Sequence, residues 1–244
     1  MDWISDPVVS RGVSEQGFTL KCQGRLVPGV AWWPEEGAAP RPVVLLGHGG
    51  NMHKRAEYIL SIARRFVRHQ GFVAVAIDGP VHGDRSSGPE EEPLRSRDVA
   101  RRAWWSNEAI DQMIADWKAT LDALQSSDLV GPAPVGYWGL SMGTFFGLPF
   151  VAAEPRVRAA VLGLMGAMGP TEERQVQDAH RVACPVLFLQ QWDDELIPRD
   201  RALKLFDALG FRDKRLHSHP GRHVEVPLEE TDASETFLAA HLSA

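Results

Sequence analysis

The sequence predicts an α/β protein: a mainly parallel, twisted sheet of about eight strands with an antiparallel N-terminal start and helices on both faces. Three observations predict it. From Val43 onward, short and wholly apolar runs alternate with segments of helical period, as expected for strands buried on both faces by helices. Phe18 to Trp33 precedes them as two strand-like runs with no helix between, which is an antiparallel opening. The third is the stretch Val135 to Gly143, where an apolar run ends in Gly139-Leu140-Ser141-Met142-Gly143 and gives way at once to an apolar segment able to begin a helix. With 244 residues and no break in composition, residues 1-244 are expected to form one domain.

In chain order, Phe18–Cys22 and roughly Leu26 to Trp33 are the opening strands, with Gly24 and Pro28-Gly29 expected as breaks or a bulge. Glu35 to Pro42, rich in Pro and Gly, is a surface loop leading to the buried strand Val43–Leu46. Arg55 to His69 places Ala56, Ile59, Leu60, Ala63, Phe66 and Val67 at helical spacing and stops at Gly71. Phe72 to Ile77 is the next strand. A charged loop from Ser86 to Pro93, with Glu90, Glu91 and Glu92 as a solvated run, leads to a long helical pattern from Ser96 to about Leu124, broken near Trp104-Trp105-Ser106-Asn107. Further strands are expected at Ala159 to Leu164, Pro185 to Gln190 and Lys214 to His217. Helices are expected at Arg199 to Leu209, capped by Gly210, and at Ser234 to Leu242.

Composition narrows the class. Hydrophobic residues at 44% and charged residues at 24% exclude a disordered or collagen-like chain. A net charge of -6, with basic residues scattered, gives no footprint for nucleic acid. The two cysteines, Cys22 and Cys184, lack metal-ligand spacing and enter apolar runs, so buried reduced thiols are expected. The N-terminus has neither a basic start nor an apolar stretch after it, and no run is long enough to span a bilayer, so the expected location is the cytoplasm, with no membrane partner.

Ligands of open α/β sheets bind beyond the carboxyl ends of the strands. The reactive-looking residues all fall there: His48 to Asn51, Asp78 to Arg85, Ser141, Asp193-Asp194, and His223. Ser141 fits G-x-S-x-G, a turn so tight that a Cβ at a flanking glycine would clash. A serine is a poor nucleophile at neutral pH and needs a base within hydrogen-bond reach and a group that orients the base. Asp193 and Asp194 compete for the orienting position, and His217, His219 and His223 for the base.

These stretches together resemble an α/β-hydrolase, and within that fold the dienelactone-hydrolase-like serine esterases. The likeness rests on Leu46-Gly47-His48-Gly49-Gly50, Asp78-Gly79-Pro80-Val81-His82-Gly83, Gly139-Leu140-Ser141-Met142-Gly143, Asp194-Glu195-Leu196-Ile197-Pro198 and Pro220-Gly221-Arg222-His223, and it spans about residue 26 to the end. The resemblance implies a triad of Ser141 as nucleophile, Asp194 as orienter and His223 as base. Asp194 is preferred to Asp193 because the family's Asp, two residues, apolar residue, Pro pattern begins there; His223 is preferred because it follows the Pro-Gly turn. His217 and His82 read as structural. The enzyme that gives the family its name is typified by a Cys nucleophile, whereas Ser141 stands here.

A tetrahedral intermediate also needs donors aimed at its oxyanion. The backbone N–H of Met142, at the head of the helix, is one. The N–H of Gly50 is the first choice for the other and that of Asn51 the second. A shallow substrate pocket bordered by Asn51, Met52, Trp104, Trp105, Met142, Met168, Trp192 and Val224 is expected from their nearness to these motifs, although Trp104 and Trp105 cannot face the same way on a helix. No metal-ligand spacing is present and no cofactor is implied. The function expected is cleavage of a small to medium carboxylic ester through an acyl-enzyme, the partner being a small-molecule ester, with monomer and homodimer both open. A thioesterase, lactonase, amidase or C–C bond hydrolase would use the same site, and a ligand-binding protein on a hydrolase scaffold is the alternative of another class.

Overall fold

In a computed structural model that describes residues 1–37, 39–86 and 104–243, a ten-stranded sheet runs through the molecule in the order β1-β3-β4-β6-β5-β7-β8-β9-β10, with β2 on β3. The parallel strands are β5 (Val43–Gly47), β6 (Val73–Ile77), β7 (Val135–Gly139), β8 (Val157–Gly163), β9 (Val186–Gln191) and β10 (Lys214–His219). All but β10 are nearly or wholly buried, which is why they read as unbroken apolar runs. The antiparallel start consists of β1 (Asp2–Trp3), β2 (Val8–Ser10), β3 (Val13–Cys22) and β4 (Arg25–Pro34), and β4 pairs antiparallel with β6.

Helices cover both faces. On one side lie α1 (Glu57–Gln70) and α6 (Glu229–Leu242), packed with Val44, Leu46, Trp138 and Leu187. On the other lie α2 (Asn107–Gln125), α3 (Met142–Ala153), α4 (Glu172–Arg181) and α5 (Arg199–Ala208), packed with Val43, Leu45, Tyr137 and Phe188. The alternation of these strand residues between the two clusters is the period-two geometry of a strand. Gly71 ends α1 in the left-handed conformation, φ 67°, as the sequence predicts.

Two expectations are corrected. Pro28-Gly29 does not interrupt β4: Gly29 stays in register opposite Phe18, and a Cβ there would stand 2.1 Å from the Phe18 ring. The glycine serves the aromatic that lies across it rather than a bulge. Gly210 does not close α5 in a left-handed cap either. Its N–H donates to the Ala179 carbonyl, and a Cβ would meet the His180 carbonyl at 2.2 Å, so close approach to α4 requires it. Two exposed edge strands, β1 and β2, carry the count above the eight expected. The predicted loop beyond Ser86 and the Ser96 to Ala103 part of the helical pattern lie outside the described residues.

Candidate active site

β5 has β6 on one side and β7 on the other, so the winding reverses there and opens a crevice beyond their carboxyl ends. Ser141 sits in that crevice with φ 57° and ψ -119°, a conformation that costs a non-glycine residue roughly 1–3 kcal/mol. Its surroundings impose it. The Ser141 N–H donates to the Gly163 carbonyl at 2.9 Å, and its carbonyl accepts from the N–H groups of Thr144 and Phe145 at 2.9 Å. The Thr144 hydroxyl accepts from Gly163 N–H and lies 2.7 Å from the carbonyls of both Gly139 and Gly163, between which it shares its one proton. Tyr137 donates to the Gly143 carbonyl at 2.7 Å. A Cβ on Gly143 would meet the Gly47 carbonyl at 2.4 Å, while one on Gly139 would be 3.0 Å from Gly143, so the second glycine of the motif is the stricter requirement.

His223 lies between Ser141 and Asp194. Its Nε2 is 2.9 Å from Ser141 Oγ and its Nδ1 is 2.7 Å from Asp194 Oδ2. The other Asp194 oxygen accepts from the N–H groups of Leu196 and Ile197 at 2.8 and 2.9 Å. Burial pushes the Asp194 carboxyl up, but the His223 ring and these two amides outweigh it and hold it below the usual carboxylate range. Asp193 instead accepts from Gly221 N–H at 3.3 Å. Glu195 accepts from the N–H of His223 at 3.0 Å and from the Arg222 guanidinium at 3.2 Å. Each acid of the Asp193-Asp194-Glu195 run therefore holds part of the His223 loop, and Gln191 adds a bond to the Glu225 carbonyl at 2.7 Å. His217 and His219 both face Glu230, at 3.0 and 2.5 Å.

The loop after β5 is fixed from several sides. His48 Nε2 accepts from Gly79 N–H at 2.9 Å, which leaves Nδ1 to carry the proton and donate to the Gly49 carbonyl. Gly49 N–H donates to Tyr58 at 2.6 Å, and Lys54 N–H to Asp78 at 2.9 Å. Asn51, at φ 59°, completes the turn that presents Gly50. Met142 opens α3, so its N–H has no carbonyl one turn behind it to bond. His82 is buried, donates from Nδ1 to the Pro80 carbonyl at 2.7 Å and faces the His48 ring at 5.4 Å.

Burial pulls the His48 imidazole down to about 4. A buried neutral histidine must gain a proton on acid unfolding, so the unfolded chain binds more protons than the fold between about pH 4 and 6.5. The stability it contributes is present above pH 6.5 and is lost as pH falls towards 4, by roughly 3 kcal/mol. Urea midpoints measured from pH 7 to 4.5 should therefore fall more steeply for the natural protein than for His48→Gln; parallel curves would refute this.

The expected pocket residues separate into groups. Trp104 and Trp105 do face the same way: their rings stack at 5.5 Å and 16°, against the expectation. The reason is Ser106, which caps α2 by accepting from Ala109 N–H, so Trp105 lies ahead of the cap and the helical rotation does not apply. Met142 turns its side chain inward, 2% exposed, beside Gly79 and His48, and is no pocket border. Met168 is partly buried at the edge of the core. Met52, Trp192 and Val224 stand at the surface, 47%, 46% and 84% exposed. The Arg199 guanidinium lies 3.5 Å over the Trp192 ring. Among the described residues, no group of His, Cys, Asp and Glu is arranged to hold a metal ion, and no helix is long and apolar enough to cross a membrane.

A sheet of this topology, with its serine on a strained strand-to-helix turn, is an α/β-hydrolase. The profile of the dienelactone hydrolase family matches residues 28–223, and the chain belongs to that family. It is 43% identical to a cold-adapted esterase from an Arctic intertidal metagenomic library, whose PEG-bound structure superposes with a TM-score of 0.89 over 99% of this chain and 100% of that one. It is 25% identical to Esterase YjfP of Escherichia coli (strain K12), over 83% of this chain and 90% of that protein. An acetyl xylan esterase from Paenibacillus sp. R4, 18% identical with a TM-score of 0.75 over 99% of this chain and 88% of that one, shares the fold.

Proposed function

We propose that the protein is a serine esterase that cleaves small to medium carboxylic esters through an acyl-enzyme. The observation that carries this reading is the continuous line from Ser141 Oγ to His223 Nε2, 2.9 Å, and from His223 Nδ1 to Asp194, 2.7 Å, ending on a strained serine. In this reading Ser141 attacks the ester carbonyl while His223 takes its proton. Asp194 keeps the Nδ1 proton in place and offsets the positive charge that forms on the ring. The Met142 and Gly50 amides receive the oxyanion. His223 returns its proton to the leaving alkoxide, and a water activated by the same imidazole then releases the acid. That the relatives described above are esterases supports the choice of bond. The single sheet supports treating residues 1–244 as one catalytic unit, and the buried thiols of Cys22 and Cys184 support placing it in a reducing compartment, the cytoplasm.

A fluorophosphonate probe tests it directly. The adduct should map by mass spectrometry to Ser141, with loss of p-nitrophenyl acetate turnover in proportion to labelling. Full turnover by protein that takes no label at Ser141 would remove the acyl-enzyme reading.

A further inference from the structure

We infer that this site selects its ester by acyl length and leaves the alcohol side open, so that its substrates are short-acyl esters of alcohols of widely varying size. The inference rests on the serine mechanism proposed above, because that mechanism fixes which end of the ester lies where.

Along the rim the loops follow the strand order: the His82 loop after β6, Gly50 after β5, Ser141 after β7, Asp194 after β9 and His223 after β10. The leaving oxygen must come within reach of His223 Nε2 to receive its proton. The alcohol therefore lies on the β8 to β10 side. With the oxyanion held between Gly50 and Met142, the remaining substituent of the carbonyl carbon, the acyl chain, points the other way, over β5 and β6.

That direction is blocked. The Trp104 ring lies 3.8 Å from where a Cβ on Gly50 would stand, and it meets the rings of Phe145 at 5.3 Å and His82 at 6.1 Å. It is 9% exposed. Trp105 stacks behind it, with its indole N–H donated to Thr171 at 3.1 Å. Gly169, at φ 72°, leaves room for that second ring, since a Cβ there would be 3.2 Å from it. A plate of two stacked indoles, the first packed between Phe145 and His82 and the second hydrogen-bonded to Thr171, does not swing aside for a longer chain, and overfilling a packed aromatic niche is unfavourable. On the alcohol side the apolar residues Trp192, Leu196 and Val224 are exposed and set no such limit.

The test is a pair of substrate series with the intact protein. Across p-nitrophenyl acetate, butyrate and hexanoate, kcat/KM should fall by about tenfold or more, whereas across methyl, butyl and benzyl acetates it should stay within about threefold. Trp104→Ala should raise the hexanoate-to-acetate ratio by about tenfold or more, with Trp104→Leu in its place if the alanine variant does not fold. Equal rates on acetate and hexanoate, or an unmoved ratio in a folded, probe-labelled variant, would overturn the inference. Fluorophosphonate labelling of Ser141 separates the two failures: labelled enzyme with a flat acyl series retains the serine mechanism and loses the short-acyl limit, and an unlabelled serine removes both.

Discussion

His223→Ala should lower kcat for p-nitrophenyl acetate by about 10⁴-fold or more, with the circular dichroism of the fold unchanged. Among the described residues the Ser141 hydroxyl has one base in hydrogen-bond contact, His223 Nε2 at 2.9 Å, and without it the serine must attack as a neutral alcohol. The neighbouring acids turn this into a sharper experiment. Asp194→Asn should lose activity on the same scale: the Leu196 and Ile197 N–H groups hold the amide oxygen, so the amide NH2 takes the position 2.7 Å from Nδ1 and donates to it, which puts the ring proton on Nε2 and leaves that nitrogen unable to accept. Asp193→Asn should stay within about tenfold of the natural enzyme, since the Asp193 side chain reaches the loop through a 3.3 Å bond from Gly221 N–H that an amide oxygen also accepts, and its backbone N–H keeps the 3.0 Å bond to the Gly221 carbonyl. Equal losses in the two variants would mean that the acids act as one electrostatic unit, and the division of roles argued here would fall.

The same three acids show where a sequence stops being informative. Asp194 could be set apart from Asp193 only through the family resemblance, whose Asp, two residues, apolar residue, Pro pattern begins at Asp194 and runs to Pro198. Glu195 could not, although it grips the N–H of His223, because its partner is a backbone group 28 residues away that has no residue signature. The buried strands were legible for the opposite reason: burial on both faces leaves Val43–Leu46 and Val186–Leu189 no choice but to be apolar. The edge strands β1 and β2, exposed along their whole length, carry no period to read. The stacked indoles were hidden by a single capping contact, Ser106 to Ala109, that starts α2 only at Asn107 and so leaves Trp105 ahead of the helix. Gly29 and Gly210 were assigned a local backbone role from their neighbours in sequence, while both answer to a ring or a carbonyl brought in by tertiary packing.

Asp78→Ala should destabilise the fold by about 3–5 kcal/mol, the cost of leaving a buried charge without its partner. Asp78 is fully buried at the end of β6, and Lys54, on the loop that presents Gly50, is nearly so; the Lys54 ammonium lies 2.5 Å from Asp78 and 2.7 Å from Asp84. The Asp78 oxygens also accept from the N–H groups of Lys54 and Asp84 at 2.9 Å. One carboxylate thus gathers the loops after β5 and β6, and without it Lys54 keeps, among the described residues, only Asp84, whose carboxylate is 72% exposed and screened by solvent. For a chain of this size the loss corresponds to roughly 10 °C in the melting temperature. The pair variant Lys54→Met with Asp78→Leu separates charge from packing. If the penalty is the stranded charge, the pair should recover most of the stability while esterase activity stays low, because the two amides that Asp78 bonded no longer fix the Gly50 turn. A single Asp78→Ala variant that unfolds within about 1 kcal/mol of the natural protein would show that Lys54 finds water or another acid, and the loops would then owe their position to His48 and Tyr58 instead.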